Sequence, residues 1–255
     1  DVSILDSTFD VGDDAIVFSS GNTNPLRVPF LPQPPPDTLR VIGKRLVLRS
    51  HSSAIKFEQI FARNHSNIRD VRFEDVTIHG SSRGIGFQQR TGAGNISNVS
   101  FKNISIETLY PTGENWWGSG EPIWVTSVDE GDGGGGGLTG TIGDISFEDV
   151  RMRAENGILL SGLSPQPIGP ITFTNASLEI AVLGNCSCSK GDPSTVPFNT
   201  GCRDYRPRGR ASGSGVELGY TSGFLLEGAG SVVFRDKVTV SFAGAGDWPG
   251  AERPS

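Results

Sequence analysis

Apolar and polar residues alternate with a period of two through four similar segments. These are NIRDVRFEDVTI from Asn67, NISNVSFKNISI from Asn95, TIGDISFEDVRM from Thr141 and PIGPITFTNASL from Pro167. Alternation at this period predicts half-buried strands. The opening DVSILDSTF is a weaker copy. A shorter motif follows most of them after a turn: DDAIVFSS, SSAIKFEQ, SRGIGFQQ, GEPIWVTS and ENGILLSG, with a looser SGFLLEGA later. Each copy sets two apolar residues around one variable position.

Two strand motifs alternating every few tens of residues predict a solenoid, whose rungs bury a continuous apolar column only when stacked. A β-sandwich is the competing all-β arrangement, but the tight Asn-Gly hairpin turns it favours are missing between these strands. Parity within the shorter motif then assigns directions. Ile16 and Phe18, Ile55 and Phe57, Ile85 and Phe87, Ile123 and Val125 are expected to point inward. Val17, Lys56, Gly86 and Trp124 form an outward row, and Glu58, Gln88 and Thr126 a second one. Parallel strands stack about 4.8 Å apart, so four rungs would line roughly 15 Å of groove. Residues 1–255 are expected to form one such unit. The chain opens directly on a strand-like run with no initiator Met, which suggests a piece that is incomplete at its N-terminus.

Insertions interrupt the rungs. Residues 24–37 are Pro-rich, residues 110–120 carry Trp116 and Trp117, and residues 129–137 form an acidic, Gly-run stretch that reads as a linker. A calcium site on Asp129, Glu130 and Asp132 is the alternative for that stretch. No metal or other cofactor is expected. Residues 183–222 form a cysteine-containing insertion loop. Cys186 or Cys188 would pair with Cys202, leaving the other without a partner in the chain. Sequons stand at Asn64, Asn95, Asn98, Asn103, Asn175 and Asn185. With the cysteines they point to a secreted glycoprotein in an oxidising setting. The net charge of −6 and a pI of about 5.1 argue against a nucleic-acid partner, which selects a basic face. No apolar run approaches the roughly 20 residues of a membrane helix.

Asp13 and Asp14 stand side by side behind Gly12, at the mouth of a short strand and with no cation nearby in sequence. The surrounding VSILDSTFDVGDDAIVFSSGN resembles the Gly-Asp-Asp segment of glycoside hydrolase family 28, the polygalacturonase-like enzymes. The downstream rungs, from SSAIKFE to WWGSGEPIWVTS, are similar to a divergent branch of it. The resemblance covers about residues 1–180. It implies a single-stranded right-handed parallel β-helix, found in cell-wall and secreted enzymes, that hydrolyses a pectin-like polysaccharide with inversion. It also implies that Asp13 is the general acid and that Asp14 helps activate water. Carboxylates forced together resist joint ionisation, so one of the pair would keep a proton near neutrality. By parity Asp14 reaches the outer face only if the backbone bends at Gly12.

The departures from that pattern are equally specific. A further catalytic Asp of the family would lie before Asp1. The Gly-His-Gly of the family falls at HSSA, with His51 offset. The Arg-Ile-Lys that grips the uronate carboxylate falls at Gly86, Phe87 and Gln88, so both cations are replaced. Lys56, Arg83 and Arg90 are the candidate substitutes, Lys56 foremost because Ile55 and Phe57 aim it outward. Trp124 and Trp116 are expected to stack on sugar faces, and Glu121 to bind hydroxyls or serve as another acid. The expected partner is a polysaccharide, with the full-length protein a monomer. Two rivals remain: a polysaccharide lyase on the same fold, and a non-catalytic β-helical carbohydrate-binding or structural protein.

Overall fold

The computed structural model describes residues 1–19, 37–59, 66–89, 93–109, 118–127, 140–162, 168–181, 183, 202–204, 216–218 and 222–243. In chain order the strands are β1 (Val2–Val11), β2 (Ile16–Ser19), β3 (Thr38–Ser50), β4 (Ser53–Gln59), β5 (Ile68–Ser81), β6 (Arg83–Gln89), β7 (Ile96–Thr108) and β8 (Glu121–Ser127). They continue as β9 (Ile145–Ala154), β10 (Ile158–Gly162), β11 (Ile171–Ile180), β12 (Cys202–Asp204), β13 (Val216–Leu218), β14 (Phe224–Glu227) and β15 (Val232–Phe242). Long and short strands alternate and sort into two parallel sheets. The long ones stack as β1-β3-β5-β7-β9-β11-β15 and the short ones as β14-β10-β8-β6-β4-β2. Strand partners therefore lie one rung apart, as in β3 on β5 and β4 on β6. This is the right-handed parallel β-helix expected from the repeats, in the hand that parallel crossovers take. Most of the insertion at 183–222 lies outside the described residues. Within it, β12 and β13 pair antiparallel.

The core is a pair of phenylalanine columns. Phe18, Phe57 and Phe87 stack along the short-strand sheet with centroids 4.6 and 4.5 Å apart. Phe73, Phe101, Phe147 and Phe173 stack along the long-strand sheet at 5.6, 5.0 and 5.0 Å. Edge-to-face contacts such as Phe57 on Phe101 lock one column to the other. Two rungs were not legible as repeats. β3 has Gly43 where β5, β7, β9, β11 and β15 carry Phe, and a Cβ there would meet the Phe73 ring at 2.4 Å. β15 carries one extra residue against β11, between Thr174 and Ala176, which breaks its alternation.

The long strands bend where single residues adopt a left-handed backbone. Asp6, Arg45, Asp75, Asn103, Asp149, Asn175 and Asp236 all have φ between 49° and 59°, and they occupy one column by register. Asn and Asp tolerate this conformation best among residues with a side chain. Carboxylates and hydrogen-bond donors alternate up the column. Arg45 clasps Asp6, Asn103 Nδ2 donates to Asp75 at 2.7 Å, and Asn175 Nδ2 donates to Asp149 at 2.6 Å. A second column runs Arg40, Asp70, Asn98, Asp144, with Asn98 donating to Asp70. At a third corner the N–H groups of Asn67, Asn95 and Thr141 donate to the side-chain oxygens of Asp37, Asn67 and Asn95 respectively. The described sequon asparagines, Asn95, Asn98, Asn103 and Asn175, thus all tie one rung to the next. Asn64 and Asn185 lie outside the described residues.

Close stacking leaves no room at some corners. A Cβ on Gly94 would fall 2.0 Å from the Ser66 carbonyl oxygen one rung away, whereas one on Gly12 would meet nothing within 4 Å. Gly94→Ala should therefore lower stability by about 1–3 kcal/mol, as overpacking does, and Gly12→Ala should not. Thermal melts of the two variants make the comparison, and equal midpoints would contradict it.

Candidate functional site

The chain leaves β1 at Val11, bends through Gly12 and Asp13, and enters β2 at Ile16. This is the bend that brings Asp14 to the outer face. Register then sets Val17 beside Lys56, Lys56 beside Gly86, Gly86 beside Trp124, and Trp124 beside Leu159. The outward row has the order that parity assigns, and Trp124 stands outside the continuous apolar core.

Asp14 is the hub of a compact ionic cluster. Its Oδ1 accepts the Ser52 hydroxyl at 2.7 Å and the Ser53 N–H at 2.8 Å, and its Oδ2 accepts Lys56 Nζ at 2.9 Å. Lys56 also lies 3.0 Å from Glu58 Oε2. The side chains of Asp14 and Lys56 are only 10% and 15% exposed. Burial pushes the Asp14 carboxyl up, but Lys56, Ser52 and Ser53 together outweigh burial and hold it below its ordinary value. Burial pulls the Lys56 ammonium down, and Asp14 and Glu58 outweigh that too, holding it above its ordinary value. Asp14 is therefore a carboxylate at neutral pH. The expected proton sharing driven by repulsion is absent at Asp14, because a cation 42 residues away in sequence arrives by register. A carboxylate offers about four lone-pair sites, and three are filled by Ser52, Ser53 and Lys56, leaving one for water or substrate.

Asp13 is exposed. Its Oδ1 accepts the Asp14 N–H at 2.8 Å, and its carbonyl accepts the Ser50 hydroxyl at 2.7 Å. Val17 and Ser19 beside it are exposed too, as is the side chain of His51. The open part of the outer face is thus its β2 end.

Further along the row the side chains are covered. Trp124, expected to meet a sugar face, is 1% exposed. Arg83 lies over its ring, with the guanidinium carbon 3.9 Å from the centroid. Gly86 makes the space, since a Cβ there would come within 3.3 Å of Arg83 Cδ and 3.6 Å of Trp124 Cε3. Arg83 also lies 3.5 Å from Glu121 Oε2, and Glu121 accepts the Ser119 N–H at 2.7 Å. Arg83, Glu121 and Gln88 are all buried. Arg83 and Glu121 are thus taken up by each other and by Trp124 instead of presenting a cation or an acid to solvent. Lys56 likewise differs from the expected free clamp, being held between two carboxylates. Arg90, Trp116 and residues 129–132 lie outside the described residues. Among the described residues no group of three or more His, Cys, Asp or Glu is placed to hold a metal ion. Parity identified Glu58 as outward but not as a site residue, and Ser52 and Ser53 were missed. The signal for Glu58 was its position two residues after Lys56, on the same face of one strand.

No family model matches the chain, and neither does any curated protein. Among solved structures the chain is similar to a hyperthermoactive exopolygalacturonase from Thermotoga maritima, with a TM-score of 0.52 at 15% identity. The match covers 69% of this chain and 36% of that one, so the chain spans little more than a third of that structure. At such low identity the likeness is one of fold, and it places this chain among the right-handed parallel β-helices.

Proposed function

We propose that the β2 end of the short-strand sheet binds a pectin-type polysaccharide and hydrolyses a glycosidic bond with inversion. Asp13 is the proton donor to the leaving oxygen, and Asp14 is the carboxylate that holds the attacking water. The observation that carries this reading is the asymmetry of the two acids. Asp14 is kept ionised, with one acceptor position left, while its neighbour Asp13 stands exposed. Inverting hydrolysis uses one acid and one base-activated water, and environments that differ assign the two roles. The polygalacturonase fold of the similar structure supports the choice of substrate class, and a cell-wall polysaccharide would place the protein outside the cell.

The burial of Arg83 and Trp124 favours a second reading, a non-catalytic β-helical protein, because neither group is open to hold a sugar for turnover. Product analysis on polygalacturonate and on rhamnogalacturonan separates the two. A hydrolase yields new reducing ends, a lyase yields an unsaturated uronate absorbing in the ultraviolet, and a non-catalytic protein yields neither. New reducing ends with inverted anomeric configuration are expected.

A further inference from the structure

On the opposite sheet, register lines up Ser105, Arg151 and Ser177 on successive strands β7, β9 and β11, with Thr239 following on β15. Arg153 occupies the neighbouring outward position and is spent on Glu179 at 3.1 Å and Glu107 at 3.8 Å. Arg151 is exposed and makes no ion pair with a described residue. Two grooves meet on it. One, of about 190 Å³, is lined by Asp149, Arg151, Asn175, Ser177, Lys237 and Thr239. The other, of about 400 Å³, runs along Ser105, Arg151 and Arg153 toward Ser241.

Lys237 reaches the first groove through the irregularity of β15. Register there passes from Thr174–Arg235 to Ala176–Val238, so Asp236 and Lys237 together stand opposite Asn175. An extra residue of this kind re-aims a side chain. Arg151 and Lys237 thus line one groove from strands two steps apart, roughly 10 Å. Asp149 is the carboxylate on its wall, and it already accepts from Asn175. Two cations therefore face one acid whose charge is partly satisfied, with the Ser177 and Thr239 hydroxyls between.

We propose that this groove is a second, non-catalytic glycan site that holds an acidic sugar. The guanidinium of Arg151 takes the carboxylate or sulfate, Lys237 takes a second anionic unit or ring oxygen, and Ser177, Thr239 and Asp149 take hydroxyls. Arg151 suits this role because its planar fork matches both oxyanions. The proposal rests on the preceding reading only for the choice of a polysaccharide as ligand. It adds that the chain grips an acidic polymer on the face away from Asp13 and Asp14. The chain as a whole is acidic, so attraction to a polyanion is not expected from net charge.

Affinity electrophoresis tests it, with polygalacturonate, a sulfated galactan or a neutral galactan cast in native gels. The proteins are the parent chain, Arg151→Ala/Lys237→Ala, Arg151→Glu and Asp13→Asn. The parent should be retarded by at least one anionic polymer, more weakly as salt rises, and not by the neutral one. Which anionic polymer retards it distinguishes carboxylate from sulfate as the recognised group. The double variant should lose about a hundredfold in affinity at this groove, since each of its two charge-assisted contacts is worth about tenfold, and Arg151→Glu should lose at least as much, so that only the retardation given by the β2 end remains. Asp13→Asn should be retarded like the parent. Equal retardation of the parent and the double variant, retardation by the neutral polymer, or none by either anionic polymer would overturn the proposal. A failure of the hydrolase reading looks different: retardation persists, but no reducing ends appear.

Discussion

Asp13→Asn should abolish turnover while leaving the fold untouched. The side chain is exposed, and its one described contact is an acceptor bond from the Asp14 N–H, which the Asn carbonyl oxygen can also accept. Melting temperature and circular dichroism should match the parent. What Asn lacks is a proton to give to the leaving oxygen, and such transfer contributes about 10²–10⁴ in rate. Release of reducing ends from polygalacturonate should fall by about that factor, with glycan binding retained. Activity within a few-fold of the parent would remove Asp13 from the acid role. The contrast is Asp14→Asn, where both activity and stability should drop, because the substitution also leaves Lys56 without its shortest ion-pair partner.

The largest effect on stability should come from Lys56→Met. Methionine approximates the aliphatic stem, but it leaves the carboxylates of Asp14 and Glu58 nearly buried with no cation between them. Removing one partner of such a cluster costs about 3–5 kcal/mol, read as a lower urea midpoint. The pH dependence carries a sign. In the parent, the Asp14 carboxyl is held below its ordinary value. Its contribution is therefore complete above the ordinary carboxylate range and is lost as pH falls through the lowered value. The Lys56 ammonium is held above its ordinary value. Its contribution is present below the ordinary lysine range and is lost as pH rises through the raised value. In Lys56→Met the acid limb should invert, with the variant gaining on the parent as the Asp14 carboxylate, no longer paired with Lys56, takes up a proton. A variant as stable as the parent at neutral pH would mean that solvent already screens the cluster. Adding Asp14→Asn to Lys56→Met should recover part of the loss, since only Glu58 is then left charged.

Repeats made the fold legible, because period-two alternation and a rung spacing of a few tens of residues leave few alternatives to a solenoid. Legibility failed where the repeat was locally broken, at Gly43, which yields its space to Phe73, and at the extra residue of β15. For the site, parity correctly sent Lys56, Gly86 and Trp124 outward but could not say what lies over them. Direction is a property of one strand, while cover and ion pairing belong to neighbouring rungs. Arg83 shares the strand of Gly86 yet folds across it onto Trp124. Lys56 finds Asp14 only because β2 and β4 pair in one register.

The alternating columns along the long strands bear on how such a chain can grow. Acid-bearing and donor-bearing rungs take turns: Lys44 and Arg45, then Glu74 and Asp75, then Lys102 and Asn103, then Glu148 and Asp149, then Thr174 and Asn175. Duplicating an acid-bearing rung in tandem would set carboxylate on carboxylate one strand spacing apart. Duplicating two leaves every neighbour of opposite kind. The parity of this ladder therefore favours lengthening or shortening the helix by an even number of turns.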